Sequence, residues 1–393
     1  GAGGWDEKFV WNLGWLEAFK GVQGISPFVL PVVYGFCKFA GFTVDGVDVS
    51  MGLIARRSRL RAGMRFCRRG VDPEGNVANF VETEQVVRAG GAVSSYVTVR
   101  GSIPLHWGHE DSSGDWTQIK PGLVLEKEDT TWQQLRDHNL YPLSMHFESL
   151  KRCYGRVLVL NLVEKRGPEE AIGSAFRSVF DQYCEVAGGG EQQYFEFEFH
   201  RHVGGMSASG WDCGQVELLN AFGDKGGGMS EAARCGVFLS GTGSNAEGAP
   251  TVVSEQGGVI RVNCIDCLDR TNLAQSVLAR WMLGVQLEAV GAVTPSERDA
   301  ISHGNVNCFS LLQEGHKGIW ADHGDAVSMQ YAGSQALRSD LARTGKRTLH
   351  GVLADGVCSV QRYLQKNLFD SSLQDMTDMI TCIAPPYPHP TPQ

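Results

Sequence analysis

The sequence lacks an apolar run long enough to cross a membrane. Its longest apolar stretch, residues 27–36, is interrupted by Pro31, whereas a spanning helix needs about 20 consecutive apolar residues. The chain begins at Gly1 without the basic segment and small-residue cleavage site of a signal peptide, and it has no initiator Met. We therefore expect a globular piece of a longer protein, with no transmembrane span in this chain.

Positive charge is also scarce for a chain of 393 residues. Asp and Glu number 44 against 35 Lys and Arg, which gives a formal net charge of −9. Because a protein that follows a nucleic-acid backbone normally carries an overall basic balance, we expect no nucleic-acid partner. Anion binding must then depend on local groups. One candidate is residues 56–69, which hold seven arginines and no acidic residue; the alternative is a solvated basic face.

Cysteine pairs of the kinds that build disulfide frameworks or zinc sites are missing. The 11 cysteines are scattered and odd in number, which favours a reducing, cytosol-facing compartment. Cys264 and Cys267 form a C-x-x-C pair, but a structural zinc site needs a second pair of comparable spacing, and the sequence has none. We therefore predict no metal and no cofactor. A thioredoxin-like dithiol is one alternative for this pair, and packing of Cys267 inside a loop is the other.

Strand and helix patterns alternate along the chain. Residues 96–100 alternate as a half-buried strand, and residues 156–163 are apolar, as in a fully buried strand. Residues 171–184 carry apolar side chains at helical spacing. Residues 223–258 are rich in Gly and Ser and predict a loop with a short strand at residues 237–239. The alternation predicts an α/β fold, a mixed β-sheet flanked by helices.

The segment most typical of a catalytic site follows a predicted strand, residues 259–262, and precedes a predicted helix in which apolar residues recur from Leu273 onward. In such a strand–loop–helix connection, consecutive backbone N–H groups turn inward and bind an anion. Cys264 opens the loop and Arg270 follows six residues later. We predict that Arg270 binds two phosphate oxygens, and that the loop amides and helix dipole favour a Cys264 thiolate. This thiolate attacks phosphorus and forms a phosphocysteine.

The other loop residues receive separate predictions. Asp266 and Asp269 repel a phosphate unless they are protonated or turned away, which indicates a use, and we favour Asp266 as the general acid for the leaving oxygen. For Asp269 the alternative is helix capping or orientation of Arg270. Thr271 donates a hydrogen bond to the cysteine sulfur, or else is an ordinary helix residue. The remaining predicted phosphate-binding positions of the loop are Asn263, Ile265, Cys267 and Leu268.

The loop sequence RVNCIDCLDRTN, residues 261–272, closely resembles the signature of the Sac-domain phosphoinositide phosphatases, the family that includes the Sac domain of synaptojanin. Further segments similar to that family follow in its order, at residues 6–12, 56–85, 100–105, 320–333 and 343–348. The resemblance spans about residues 6–378 and implies a Sac-type catalytic domain over residues 1–380, without most of the family's N-terminal subdomain. The Pro-rich composition of residues 381–393 predicts an extended, disordered tail.

The resemblance also implies an activity. It carries over Cys264 as nucleophile and Arg270 as phosphate ligand, and it implies metal-independent removal of phosphate from phosphatidylinositol phosphates, chiefly the 4-phosphate, with 3-phosphate or 3,5-bisphosphate accepted by some members. The expected partners are phosphoinositide lipids at an anionic membrane surface. Residues 56–69 together with Arg338, Arg343, Lys346 and Arg347 are expected to form basic rims that attract that surface, since a basic side chain near an anionic leaflet contributes about 1 kcal/mol. Lys346 and Arg347 are also expected to bind the phosphate. The expected location is cytosolic, peripheral on the cytoplasmic face of ER, Golgi or endosomal membranes, and the sequence identifies no protein partner.

Two rival functions differ in testable ways. A protein tyrosine phosphatase shares the loop chemistry, but that family usually places His before the cysteine and uses a Trp-Pro-Asp loop, whereas Asn263 stands here and no Trp-Pro-Asp occurs. The other rival is a catalytically silent phosphoinositide-binding scaffold of the same fold. The presence of Cys264, Arg270 and Thr271 together argues against it, because a silent relative has no chemical need for all three.

Overall fold

The computed structural model describes residues 5–19, 21–110, 120–123, 131–187, 193–203, 215, 217–220, 222, 228–244, 250–303, 309–345 and 348–382. Lys346 and Arg347 lie outside the described residues, and so does the predicted Pro-rich tail from residue 383 onward. Thr381 ends the last described helix, and Cys382 follows it.

Eleven strands and eleven α-helices have described bounds, and residues 215, 217–220 and 222 are helical as well. In chain order the strands are β1 (Gly35–Val44), β2 (Val47–Arg57), β3 (Val81–Ala89), β4 (Ala92–Arg100), β5 (Trp107–Glu110), β6 (Lys120–Leu123), β7 (Arg156–Asn161), β8 (Gln193–Glu196), β9 (Phe238–Ser244), β10 (Pro250–Ser254) and β11 (Gly258–Asn263). The helices are α1 (Leu13–Glu17), α2 (Trp132–Tyr154), α3 (Glu170–Val186), α4 (Phe199–Val203), α5 (Gly228–Cys235), α6 (Asp269–Ala289), α7 (Pro295–Ser302), α8 (Ser310–Ala332), α9 (Ser339–Thr344), α10 (Leu349–Leu368) and α11 (Asp370–Thr381).

The antiparallel half of the main sheet consists of β1 to β4. Asp45 and Gly46 join β1 to β2, and Gly90 and Gly91 join β3 to β4, all with positive φ between 47° and 86°. A two-residue turn of this kind is type I′, whose twist matches the twist of paired strands. The two turns therefore fix the register of both hairpins.

The parallel half of the sheet places β11 at its centre. The order is β1-β2-β3-β4-β11-β7-β8, with β9 paired to the start of β4 and β10 paired to β9. β11 runs parallel to both β4 and β7, and every residue of β11 is buried. A strand covered on both faces and both edges presents only its ends, so the carboxyl end of β11 is where this strand can deliver functional groups.

Helices cover both faces of this central region. Alternate residues of a strand point to opposite faces. Val157 and Val159 of β7 accordingly pack with α2 and α3, whereas Leu158 and Leu160 pack with α6. The mixed sheet with helices on both sides confirms the α/β fold predicted from the sequence.

Residues 223–258 hold more regular structure than the sequence predicted. The helix α5 and the strands β9 and β10 lie there, and β9 continues to Ser244. The prediction of a loop with only a short strand was wrong, because the backbone of this Gly- and Ser-rich segment pairs with β4 and within the β9–β10 hairpin. The predicted strand at residues 156–163 ends two residues earlier, at Asn161. Of the described helices, none has the length and apolar character needed to cross a bilayer.

Candidate active site

The loop predicted to bind phosphate joins β11 to α6, as the sequence indicated. Asn263, the last residue of β11, donates through its amide to the side-chain oxygen of Asn161 at 2.6 Å, and the amide of Asn161 donates to the hydroxyl of Tyr194 at 2.8 Å. This chain of buried side chains ties the ends of three neighbouring strands together. Asn263 therefore anchors the start of the loop rather than lining the cavity above it.

The Cys264 thiol lies at the base of the loop and is almost completely buried. Its Sγ accepts hydrogen bonds from the Cys267 N–H at 3.0 Å and from the Thr271 hydroxyl at 3.3 Å. Burial by itself raises a thiol pKa, but the Cys267 side chain, the Arg270 charge and the Thr271 hydroxyl outweigh it and lower the pKa of Cys264 to about 6. A pKa of about 6 favours the thiolate form of Cys264 at neutral pH.

Cys267 closes the loop underneath Cys264. Its φ of 52° turns its N–H back toward the Cys264 sulfur, and its own thiol donates to the carbonyl oxygen of Gly101 at 2.9 Å. Burial, and then the neighbouring Cys264 thiolate, raise the pKa of Cys267 well above its usual range. Both thiols are free. Cys267 therefore packs inside the loop and contacts the Cys264 sulfur through its N–H.

Arg270, in the first turn of α6, holds a carboxylate at the edge of the loop. Its two terminal nitrogens donate to Glu169 at 2.9 and 2.6 Å, and one of them also donates to the Leu162 carbonyl oxygen at 3.2 Å. Burial tends to lower the pKa of Arg270, but the Cys264 charge and Glu169 raise it above its usual range. Arg270 is therefore a permanent cation, and its outer fork, formed by the two terminal nitrogens, points at Glu169.

Asp266 is paired with two arginines from the run at residues 56–69. Arg65 and Arg69 each donate to one of its carboxylate oxygens at 2.5 Å. Burial opposes ionisation, but these two guanidinium groups hold the pKa of Asp266 well below its usual range. A group that stays ionised cannot donate a proton. The geometry thus argues against the prediction of Asp266 as general acid and gives it the role of holding Arg65 and Arg69 against the loop.

Asp269, the first residue of α6, connects the loop to two later segments. One of its oxygens accepts from the Leu337 N–H at 2.6 Å, and its carboxylate accepts from Arg362 of α10 at 3.2 and 3.3 Å. A carboxylate in the first turn of a helix is also favoured by the helix dipole. Asp269 therefore joins α6 to α10.

A cavity of about 380 Å³ opens above Cys264. Its polar lining comes mostly from six charged residues, which are Arg65, Asp266, Asp269, Arg270, Arg338 and Arg362. The side chains of Ile265 and Leu268 are buried in two apolar clusters, so the phosphate contact predicted for these two residues concerns their backbone N–H groups and stays a prediction. A larger cavity of about 670 Å³ lies between the β1–β2 and β3–β4 hairpins, and its lining includes neither Cys264 nor Arg270.

Arg362 is the charged residue of the cavity lining that was not predicted from the sequence. It is buried on the inner face of α10 and donates to the hydroxyls of Ser328 and Ser334 as well as to Asp269. The available signal was a lone arginine on the face of an amphipathic helix, but its partners lie 28 to 93 residues away in the chain. Only the packing of α10 brings it to the loop.

The arginine run at residues 56–69 is used mainly inside the protein. Arg57 is buried and donates to two backbone carbonyls, and Arg61 donates to the Arg69 carbonyl. Arg56 pairs with Glu82 and Glu84, and Arg68 pairs with Asp378. Arg65 alone of this run lines the cavity. Most of the run thus supports the loop from inside the protein, and the attraction of anionic lipid expected for it stays a prediction.

Curated proteins similar to this chain include three phosphoinositide phosphatases. The chain is 34% identical over 380 residues to phosphatidylinositol-3-phosphatase SAC1-B of Danio rerio, covering 95% of this chain and 57% of that protein. It is 38% identical over 379 residues to phosphoinositide phosphatase SAC7 of Arabidopsis thaliana, covering 95% and 56%. It is 34% identical over 385 residues to phosphatidylinositol-3-phosphatase SAC1 of Saccharomyces cerevisiae, again covering 95% and 56%. The chain therefore spans a little over half the length of these relatives.

A match to a protein family covers the amino-terminal half of the chain. Residues 2–204 match the SacI homology domain. This match takes in the antiparallel half of the sheet, α2, β7 and α3, whereas the Cys264 loop lies beyond it and within the segments aligned to the relatives. The chain belongs to the SacI homology domain family.

Proposed function

We propose that this chain is the catalytic region of a phosphoinositide phosphatase that hydrolyses the phosphomonoester of a phosphatidylinositol phosphate. One observation carries the proposal: a buried Cys264 with a lowered pKa lies at the base of a cavity beside Arg270, in a loop between a strand and a helix. The names of the relatives, phosphatidylinositol-3-phosphatase and phosphoinositide phosphatase, support the substrate class.

The chemistry proceeds in two steps. The Cys264 thiolate attacks phosphorus, an S–P bond forms, and the P–O bond to inositol breaks while the leaving oxygen takes a proton. Water then attacks the phosphocysteine, the S–P bond breaks, and phosphate and the thiolate are released. The Thr271 hydroxyl, 3.3 Å from the sulfur, stabilises the thiolate in both steps. Arg65 and Arg69 keep Asp266 ionised, and Asp269 is paired with Arg362, so we propose that the leaving oxygen takes its proton from water rather than from either carboxylate.

Arginines beyond the loop favour a phosphorylated ring as the substrate. Arg65, Arg338 and Arg362 come from three different elements or connections and line the same cavity. Phosphate groups are matched by the planar guanidinium fork. We propose the 4-phosphate as the main target, with the 3-phosphate or 3,5-bisphosphate as further substrates, and no metal or cofactor in the reaction.

The location follows from the substrate. A lipid headgroup is presented at a bilayer, so we propose that the protein acts peripherally on the cytoplasmic face of ER, Golgi or endosomal membranes. We also propose that residues 1–380 act as one catalytic domain. Its two ends meet, because the Trp15 indole N–H donates to the Ile380 carbonyl oxygen at 3.1 Å.

The test is phosphate release from short-chain phosphatidylinositol 4-phosphate in the presence of a chelator, with the Cys264→Ser variant as control. We expect release by the parent and none above background by the variant, because a serine hydroxyl is not ionised at neutral pH. Full activity in Cys264→Ser disproves thiolate catalysis.

A second candidate function is a silent phosphoinositide-binding scaffold. The contact between Arg270 and Glu169 favours it. An arginine whose outer fork already holds a carboxylate is partly neutralised as a phosphate ligand. Binding of the short-chain lipid without phosphate release by the parent favours the scaffold.

A further inference from the structure

Helix α10 exposes a face that carries no charged residue. The side chains of Leu349, Leu353, Val357, Val360, Leu364 and Leu368 are between 46% and 79% exposed. The charged residues of this helix, Asp355, Arg362 and Lys366, are all buried or half-buried. The outer face of a helix in a globular protein normally carries its charged and polar residues. An exposed face made mostly of apolar side chains, here interrupted by Gln361 and Asn367, instead marks a contact surface.

The charged side of α10 is turned into the protein, whereas the polar residues His350, Gln361 and Asn367 are exposed among the apolar ones. At about 100° per residue, Cys358 and Asp355 lie close to the direction of Arg362, whereas Leu353 and Val360 lie about 160° to 180° away from it. The inward direction is fixed by the contacts of Arg362 with Asp269, Ser328 and Ser334. The orientation of the helix is therefore imposed by its buried polar contacts, and its apolar face is left outside.

The apolar face begins at the rim of the cavity above Cys264. Arg362 and Ser359 both line that cavity, and Ser359 is exposed. Tyr363, which is 43% exposed, follows about 40° further around the helix and leads to Val360. One helix thus carries part of the cavity wall on one side and the apolar face on the other.

We propose that the apolar face of α10, residues 349–368, lies against the lipid bilayer while a headgroup occupies the cavity. This inference rests on the proposed function, because a substrate held by its acyl chains brings the bilayer to the cavity rim. A bilayer fits the face better than water does, since leucine and valine side chains enter the boundary between headgroups and acyl chains. A helix of 20 residues is about 30 Å long, which allows several side chains to enter at once.

The test compares Leu353→Glu/Val360→Glu with a matched control, Val186→Glu. Val186 is 74% exposed and ends α3, on the other side of the sheet from α6. Co-sedimentation uses vesicles of phosphatidylcholine and phosphatidylserine without phosphoinositide. We expect the double variant to partition onto vesicles about tenfold less than the parent, and the control to match the parent, because two carboxylates cannot enter the acyl-chain boundary. Thermal unfolding checks that all three proteins are folded.

Activity measurements separate this inference from the proposed function. We expect the double variant to lose about tenfold of its phosphate release from long-chain substrate in vesicles and to keep its release from short-chain soluble substrate, because binding to the bilayer is reduced while the loop is unchanged. If no protein releases phosphate from either substrate, the proposed function is refuted. If the double variant still binds vesicles less than the parent does, the bilayer contact is supported all the same.

Two results overturn the bilayer contact. One is equal vesicle partition by the parent and the double variant, including no partition by either. The other is a parent that sediments as a dimer and a double variant that sediments as a monomer, both with the same vesicle partition, which assigns the face to a second copy of the chain.

Discussion

At the scale of single residues, the proposed nucleophile Cys264 depends on a few short contacts. The Cys264 sulfur receives one backbone N–H and one hydroxyl, and the positive charge of Arg270 lies close to it. These groups counter a burial that by itself favours the neutral thiol. Each contact therefore shifts the pH at which the reactive thiolate appears.

Replacing Thr271 by Val removes the hydroxyl bond to the Cys264 sulfur. We expect the pKa of Cys264 to rise from about 6, because the thiolate loses one of its donors. Since the thiolate is the reactive form, the rate rises with pH through this pKa, so the acidic limb of the kcat/KM profile moves to higher pH. The measurement is phosphate release from the short-chain lipid as a function of pH.

Thr271→Ser is the matched control, because it keeps a hydroxyl at the same position. Its acidic limb is expected to stay with that of the parent. An unchanged limb in Thr271→Val means that Thr271 is an ordinary helix residue, the alternative considered for it from the sequence.

At the scale of elements, the start of α3 orients the start of α6. Arginine has five N–H donors. Glu169 takes one from each terminal nitrogen of Arg270, and Leu162 takes another. These three contacts leave the Nε–H and the second Nη2–H, which form a side-on fork suited to two phosphate oxygens. Glu169 is therefore a positioning residue that can hold Arg270 while phosphate binds.

Glu169→Gln is expected to raise KM for the short-chain lipid about tenfold and to change kcat less, because a charge-assisted bidentate contact that orients Arg270 is lost. Steady-state kinetics with the short-chain lipid separate the two constants. The matched control is Glu164→Gln, because Glu164 is 3.9 Å from the same arginine, beyond hydrogen-bond distance. A lower KM in Glu169→Gln contradicts the positioning role and means that Glu169 competes with phosphate.

At the scale of the whole molecule, Asp266 joins segments that are about half the chain apart. Arg65 and Arg69 precede it by 201 and 197 residues, and both donate to its carboxylate. The same amino-terminal segment contacts the last helix, since Arg68 pairs with Asp378. The loop is thus held from the side by contacts that form only when the complete fold has formed.

Asp266→Asn is expected to lower the free energy of unfolding at neutral pH by about 3 kcal/mol, because two largely buried guanidinium groups lose their charged partner. The folded pKa of Asp266 lies below the unfolded value, so its contribution is fully present above the unfolded value of about 3.9 and is lost as pH falls toward the folded one. The variant should therefore lose less stability on acidification than the parent. Denaturant unfolding at several pH values measures both effects.

Asp181→Asn is the control for a carboxylate in an exposed pair. Asp181 pairs with Arg177 one helical turn away, and half of its side chain is exposed. Such a pair contributes less than about 1 kcal/mol, so its loss should be small. Equal losses in the two variants refute the special role of Asp266.

Contacts between residues far apart in the chain could not be predicted from the sequence. Strand β11, the loop and α6 were predicted correctly, because apolar periodicity and the Cys264–Arg270 spacing are properties of consecutive residues. The pairing of β9 with β4 was not predicted, because the two strands lie far apart in the chain. The same holds for Arg362, which reaches the cavity through the packing of α10.

The amino-acid sequence was sufficient for the fold class, the family and the position of the Cys264 loop between a strand and a helix, since each is encoded in local pattern and residue type. Folding determined three further properties: the ionisation of Asp266, the orientation of Arg270 and the outward direction of the apolar face of α10. A pKa depends on the charges brought near a group, and exposure depends on what packs against a helix. Arg65 and Asp266 are 201 residues apart in the chain, so the arginine lowers the pKa of the carboxyl only when the chain has folded.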